Sequence, residues 1–419
     1  MHPITFATWI ALAAATAIAR AQPDDAAALQ LADQAPTATQ EAPQKHRLYV
    51  EGAALRGWFL AGAPENNAVR GSVDLRIDAT LAPGWRGVLS DRLDLVRNDT
   101  EPKQRNVNAL REAYVSWEAR PDLVLDMGRV NLRQGAAWGY NPTDFFRGGS
   151  LRSIVSPDPA RLRENRLGTV VVQAQSLWSG GSFAAALSPR LESEPSDSTW
   201  SLDLGSTNAR NRWLLVGSHR LGALQPQLLL HGGADTPEQL GFNLSGLLND
   251  ATVAYVELAT GKDRSSIARA LDRAEDTQWQ QRAALGFTYT TAFNLSLTAE
   301  ADYNSAAPDR AQWEALHAGS PADALRLLQW SQDEQELPVR RGAFFYATWR
   351  DALVRRLDLS GFVRYDAETH SRVQWLETRY HWDRADLALQ WQLYSGDPGS
   401  VFGTVPQKRT VEVSVRVYF

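Results

Sequence analysis

From His46 to Phe419 the chain alternates apolar and polar residues with a period of two, segment after segment, and places charges in the middles of those segments. Between Val69 and Leu81, the residues Arg70, Ser72, Asp74, Arg76, Asp78 and Thr80 alternate with Val69, Gly71, Val73, Leu75, Ile77, Ala79 and Leu81. Successive side chains of a strand point to opposite faces, so one face here is ionic and the other is hydrocarbon. The last segment repeats the pattern, with Val411, Val413, Val415, Val417 and Phe419 opposed to Thr410, Glu412, Ser414, Arg416 and Tyr418. Leu295–Tyr303 and Leu357–Asp366 follow it too. Soluble sandwiches also alternate, but their strands average about 5 to 6 residues. These run to about 9 to 13, the length a tilted strand needs to cross a bilayer. The pattern predicts an all-β fold, a transmembrane antiparallel β-barrel with hydrocarbon outside and polar groups inside.

Turn lengths carry the same prediction independently, because such barrels alternate short turns at one end with longer loops at the other. Short connections are expected at Ala82-Pro83-Gly84, Arg120-Pro121-Asp122, Leu177 to Gly181, Leu221 to Gln225, Asn249-Asp250, Thr290 to Phe293, Asp351 to Arg356 and Asp383 to Asp386. Longer polar stretches separate them, at 131–163, 188–210, 259–277, 304–337 and 396–408. The count is about 18 strands if Trp200 to Leu204 lies in a loop. If that segment spans, parity fails and 16 is the even alternative. Trp85, Trp117, Trp178, Trp349 and Trp382 fall at strand ends on the short-turn side, as expected of rings at headgroup level.

The first 45 residues read differently. An apolar run from Ile4 to Ile18 precedes Ala19-Arg20-Ala21, a small-x-small cleavage site, although only His2 stands where a signal peptide usually carries Lys or Arg. We expect a signal peptide at 1–21, a flexible periplasmic linker at 22–45 and the barrel at 46–419. No later apolar run reaches the roughly 18 to 20 residues of a spanning helix. The chain has no cysteine, which excludes disulfides and thiolate metal sites. With 43 Lys and Arg against 48 Asp and Glu, it has no electrostatic footprint for nucleic acid.

The most unusual stretch, Arg129 to Arg166, holds Arg129, Arg133, Arg147, Arg152, Arg161, Arg163 and Arg166 against only Asp144, Asp158 and Glu164. It is too long for an ordinary turn. Folded inward, its guanidiniums form a constriction that attracts anions. Two other readings stay open: pairing with lumen carboxylates such as Asp74, Asp78, Asp94, Glu112 and Glu118, or binding lipopolysaccharide phosphates at the rim. The lumen-facing set read from the alternation is Arg70, Asp74, Arg76, Asp78, Glu112 and Glu118.

Within this stretch, Gly128-Arg129, Trp138-Gly139 and Asn141-Pro142-Thr143-Asp144 resemble a G-R…W-G…N-P-x-D motif of porin-like outer-membrane barrel families of Gram-negative bacteria. The resemblance covers this segment closely and the rest only in style. It implies an outer-membrane channel and carries no substrate or catalytic residue. The terminal Phe419 resembles the signal read by the barrel assembly machinery. Arg161 to Gly168 looks like the return into the next strand.

Ala311 to Trp330 predicts an amphipathic helix interrupted at Gly319-Ser320-Pro321, a lid over or inside the mouth. Catalytic signals are poor. Ser218 and His219 are sequence neighbours and so point to opposite strand faces, and His231, His370 and His381 lack zinc-ligand spacing. We read no enzyme, no cofactor and no metal. The expected function is passive diffusion of small hydrophilic solutes, with anions preferred. The alternative is a plugged barrel acting in envelope assembly, export or adhesion. Expected partners are outer-membrane lipids, lipopolysaccharide, the barrel assembly machinery and small solutes, with homo-oligomers left open and nucleic acid excluded.

Overall fold

The computed structural model describes residues 46–59, 66–98, 105–234 and 236–419. The expected signal peptide and linker lie outside them. The described residues form β1 (His46–Phe59), β2 (Asn66–Ala82), β3 (Trp85–Asn98), β4 (Arg105–Arg120), β5 (Leu123–Val130), β6 (Thr169–Trp178), β7 (Gly181–Ser188), β8 (Arg212–His219) and β9 (Leu224–Gly233). They continue as β10 (Thr236–Asn249), β11 (Thr252–Asp263), β12 (Gln278–Thr290), β13 (Leu295–Asn304), β14 (Arg341–Trp349), β15 (Leu357–Asp366), β16 (Ser371–His381), β17 (Ala385–Ser395) and β18 (Gln407–Tyr418). Every strand pairs antiparallel with the next, and β1 pairs with β18, Val50 opposite Val417, so the sheet closes. This is an 18-stranded all-β barrel.

Its burial is inverted relative to a soluble protein. On β18, Val413 and Val415 are 44% and 47% exposed, while Glu412 and Arg416 are 7% and 5% exposed. The enclosed charges neutralise one another: Arg92 donates to Glu51 (3.0 Å), Asp94 (2.9 Å) and the Tyr49 hydroxyl (2.9 Å), and Arg111 reaches Asp74 at 2.8 Å. Breaking one such buried pair strands the other charge, which is why they come as networks.

The eight expected short turns all fall between strands at one end. The opposite end carries the long connections, with small corrections. β11 continues through Asp263 because Gly261, Lys262 and Asp263 stay in register with Gln280, Trp279 and Gln278, so that connection begins at 264. The return expected at Arg161 to Gly168 is helical in its first part, α1 (Pro159–Glu164), capped by the Asp158 side chain.

Trp200 to Leu204 does not span, yet it helps to build the wall. β5 pairs with β4 only from Ala113 to Arg120, leaving Arg105 to Glu112 of β4 without a β5 partner. Along that edge the Gly168 N–H donates to the Arg111 carbonyl (2.7 Å), and residues 198–208, which include α2 (Leu204–Thr207), meet β4 and β6. The Asn108 N–H donates to the Thr199 carbonyl (3.0 Å) and Arg129 donates to the Leu202 carbonyl (2.6 Å). The Asn208 amide accepts from the Val170 N–H and donates to its carbonyl, both at 2.9 Å, as a neighbouring peptide unit would.

Three helices, α3 (Ser266–Ala270) and, further on, the pair α4 (Arg310–Gly319) and α5 (Pro321–Asp333), fill one side of the lumen. The break at Ser320 is local chemistry: Ser320 is extended, its hydroxyl caps α5, and Pro321 occupies the first turn, where a missing N–H costs nothing. Asp309 and Gln312 form a capping box on α4. Trp313 and Leu327 bury against Phe344, Tyr346, Phe362 and Trp375, an apolar patch on the inner face of β14 to β16, together with Phe402 of α6 (Val401–Thr404). Phe362 interrupts the polar face of β15 because a helix pair, and not water, covers it.

Candidate functional site

The β5–β6 connection, 131–168, runs inside the barrel and touches strands on opposite sides of it. Its extended part hangs on two wall carboxylates. Glu257 of β11 accepts from the Ala137 N–H (2.7 Å) and the Thr143 hydroxyl (3.2 Å). Glu300 of β13 accepts from the N–H groups of Trp138 and Gly139 and from the Tyr255 hydroxyl. Further along, Ser153 donates to Asp94 of β3 (2.6 Å), Ser156 to Gln390 of β17 (3.2 Å), and Tyr346 of β14 to Asp158 (2.8 Å). At the end of α1, Glu164 pairs with Arg47 of β1, and Asn165 accepts from Arg111 of β4 (2.7 Å). The loop therefore crosses the lumen.

The motif residues have local reasons. Gly128 sits at φ +128°, and a Cβ there would lie 2.3 Å from the Ala113 carbonyl, so no side chain fits beside β4. Gly139 lies against Phe344, with room for no Cβ (2.5 Å). The Asn141 side chain accepts from the Asp144 N–H (3.1 Å), and Asp144 pairs with Arg166. Together these bonds fold the chain back on itself.

The seven arginines divide into two groups. Arg129 is buried and donates to the carbonyls of Gly168, Leu202 and Asp203. Arg147 pairs with Glu336 and donates to the carbonyls of Asn141 (2.8 Å) and Gln335 (3.1 Å); Arg152 pairs with Asp203 (2.8 Å) and Arg166 with Asp144. These four hold the loops together. Arg163 donates to the Ala137 carbonyl and stacks over Trp138 (4.5 Å), and Arg161 has a single long contact to Glu164 (3.8 Å). Arg133 is exposed and makes no ion pair among the described residues, with Arg163, Arg166, Asp144 and Glu112 as neighbouring charges. The field of Arg133, Arg161 and Arg163 is thus left open.

The carboxylates named as partners from sequence pair with the wall instead: Asp74 with Arg111, Arg92 and Arg47, Asp78 with Arg86, Asp94 with Arg92, and Glu112 with Arg76. Arg70 pairs with Glu51 and Glu412. Glu118 is exposed near the short-turn end of β4, beside the β2–β3 turn. The histidines lie apart: His231 is buried in the wall, His370 meets Tyr365, and His381 sits between Asp358 and Asp386. Burial opposes charge on Glu164, but Arg47, Arg161 and Arg111 hold its carboxyl down to about 2. A depressed carboxyl contributes fully above its ordinary value near 4.5 and loses its contribution only as pH falls through about 2. The attachment of 159–166 to β1 is therefore expected to be as firm at pH 5 as at pH 7, as read from hydrogen-exchange protection of that segment.

No family model and no curated protein matches the sequence. Solved structures do match the fold. Pseudomonas aeruginosa OccK5 (OpdH) superposes with TM-score 0.54 at 10% identity, over 90% of this chain and 97% of its own. Acinetobacter baumannii OccAB1 gives 0.56 at 9% identity, over 89% and 96%. A BenF-like porin from Pseudomonas fluorescens Pf-5 gives 0.56 at 11% identity, over 90% and 98%. The fold is a porin fold. Within it, the two wall carboxylates that hold the inward loop are Glu257 and Glu300, which sequence reasoning missed. Their signal was a carboxylate within an alternating strand, which many other positions share.

Proposed function

We propose that the protein is an outer-membrane channel through which small hydrophilic solutes diffuse passively, with anions preferred and no chemical turnover. The observation that carries the reading is the inward loop whose Arg133, Arg161 and Arg163 lack close carboxylate partners, since unneutralised charge at a constriction sets ion preference. In this reading the short turns face the periplasm, the long loops face outward, and the exposed valines and leucines meet lipid. Purified protein in planar bilayers is expected to show discrete conductance steps and a reversal potential favouring chloride over potassium. Equal or higher cation permeability removes the anion preference.

A second reading, a plugged barrel working in envelope assembly, is favoured by the contacts that the loop makes with strands on opposite sides of the lumen. It predicts no conductance from folded, inserted protein. The membrane assignment has its own test. Val73 faces outward at 43% exposure, and Val73→Arg is expected to destabilise the barrel by about 2–4 kcal/mol near the bilayer midplane. Urea unfolding in lipid vesicles measures this; no loss would place that face away from hydrocarbon.

A further inference from the structure

Between the long-loop ends of β8 to β10, the 193–212 connection and the end of α5 lies a cavity of about 550 Å³. That is within the range of small-molecule sites, about 300–1,000 Å³. Six arginines and six carboxylates line it, so its net charge is balanced and it holds no field that would collect simple ions of one sign. Several of them neutralise each other, as Arg147 does with Glu336 and Arg152 with Asp203. Arg212 and Glu334 do not: neither has an ion-pair partner among the described residues. Arg212 lies over the Phe146 ring at 4.4 Å and donates to the Thr207 carbonyl. His231, 4% exposed, stacks flat on Phe145 with ring centroids 4.9 Å apart, and both its ring nitrogens and the Thr236 hydroxyl lack hydrogen-bond partners among the described residues. The Trp330 ring completes the lining.

We propose that this cavity binds a neutral polyhydroxylated solute, a mono- or disaccharide, on the outer side of the constriction. Neighbouring hydroxyls on one sugar ring accept from a guanidinium and donate to a carboxylate, so one molecule satisfies Arg212 and Glu334 together. The C–H face of a pyranose packs on aromatic rings, which Phe145 and Trp330 supply. A free oxyanion gains Arg212 but meets Glu334 and Asp333; a cation meets the reverse. The proposal rests on the reading that solutes enter the barrel from this end, and it is independent of the ion preference.

Titration calorimetry on folded, detergent-solubilised protein tests it with maltose and glucose as probes and phosphate and glycine as comparators. Saturable binding of maltose is expected, weakened at least tenfold by Glu334→Gln and by Arg212→Gln, with Arg326→Gln on the exposed side of α5 as the control. Because the chain has no cysteine, Ser193→Cys in the cavity lining gives a second readout: maltose is expected to slow its labelling by a thiol reagent several-fold. The proposal is overturned by an absence of both heat and protection, by phosphate or glycine binding more tightly than either sugar, or by saccharide binding that ignores both substitutions. Conductance in bilayers is read separately, so a channel that conducts but binds no sugar sinks this site alone.

Discussion

Glutamate in place of both Arg133 and Arg161 is expected to reverse the proposed ion preference, from anions to cations. Both side chains reach water within the barrel, and neither has a short carboxylate contact. A unit charge about 5 Å from a permeating ion contributes about 0.8 kcal/mol even at the dielectric of water. Reversing two of them shifts the chloride-to-potassium permeability ratio by at least about tenfold after screening, since tenfold is about 1.4 kcal/mol. Reversal potentials across a salt gradient report the ratio. Arg147 and Arg166 supply the contrast, because Glu336 and Asp144 neutralise their charges at close range. A double variant that keeps the parent selectivity would move the constriction elsewhere.

Alanine in place of both Glu257 and Glu300 is expected to release the loop and raise single-channel conductance several-fold. The two carboxylates together accept from three backbone N–H groups, the Thr143 hydroxyl and the Tyr255 hydroxyl. A buried hydrogen bond contributes about 1 kcal/mol, and a buried donor left without its partner costs about 1–3 kcal/mol, so losing the whole set weakens the loop's hold on the wall. The wall itself should survive, because the strand ladders of β11 and β13 do not involve these side chains. Heat-modifiable gel mobility checks that the barrel is folded, and bilayer recordings check the conductance. Unchanged conductance in a folded double variant would mean that the loop does not limit flow.

The barrel was legible in the sequence because its rule is local. Alternation such as Val69 to Leu81 needs only neighbouring residues, and a turn such as Pro83-Gly84 announces itself. The helix break at Ser320 was legible for the same reason: the capping hydroxyl and the following proline are adjacent. Loop placement was not local. Arg147 and Glu336 stand 189 positions apart, and Trp138 and Glu300 stand 162 apart, so nothing in either stretch names the other. The arginine-rich segment did contain a clue that went unused. Ala136, Ala137, Trp138, Tyr140, Phe145 and Phe146 are too apolar for a loop in water, and glycines at 135 and 139 announce close approach to another surface. A connection of that composition belongs against a wall. The charge clusters of β1 to β4 were legible as lumen-facing but not as pairs, since register between strands decides which arginine meets which carboxylate.

The borrowed stretch beside β4 bears on the order in which the molecule is completed. Until Thr199 and Asn208 have been made and brought back, the free edges of β4 and β6 carry unsatisfied peptide groups, which in the proposed membrane setting cost several kcal/mol each. Closure of the β1–β18 seam alone therefore cannot make the cylinder tight. Sealing is a two-point event, and the second point is stitched by residues that belong to no strand.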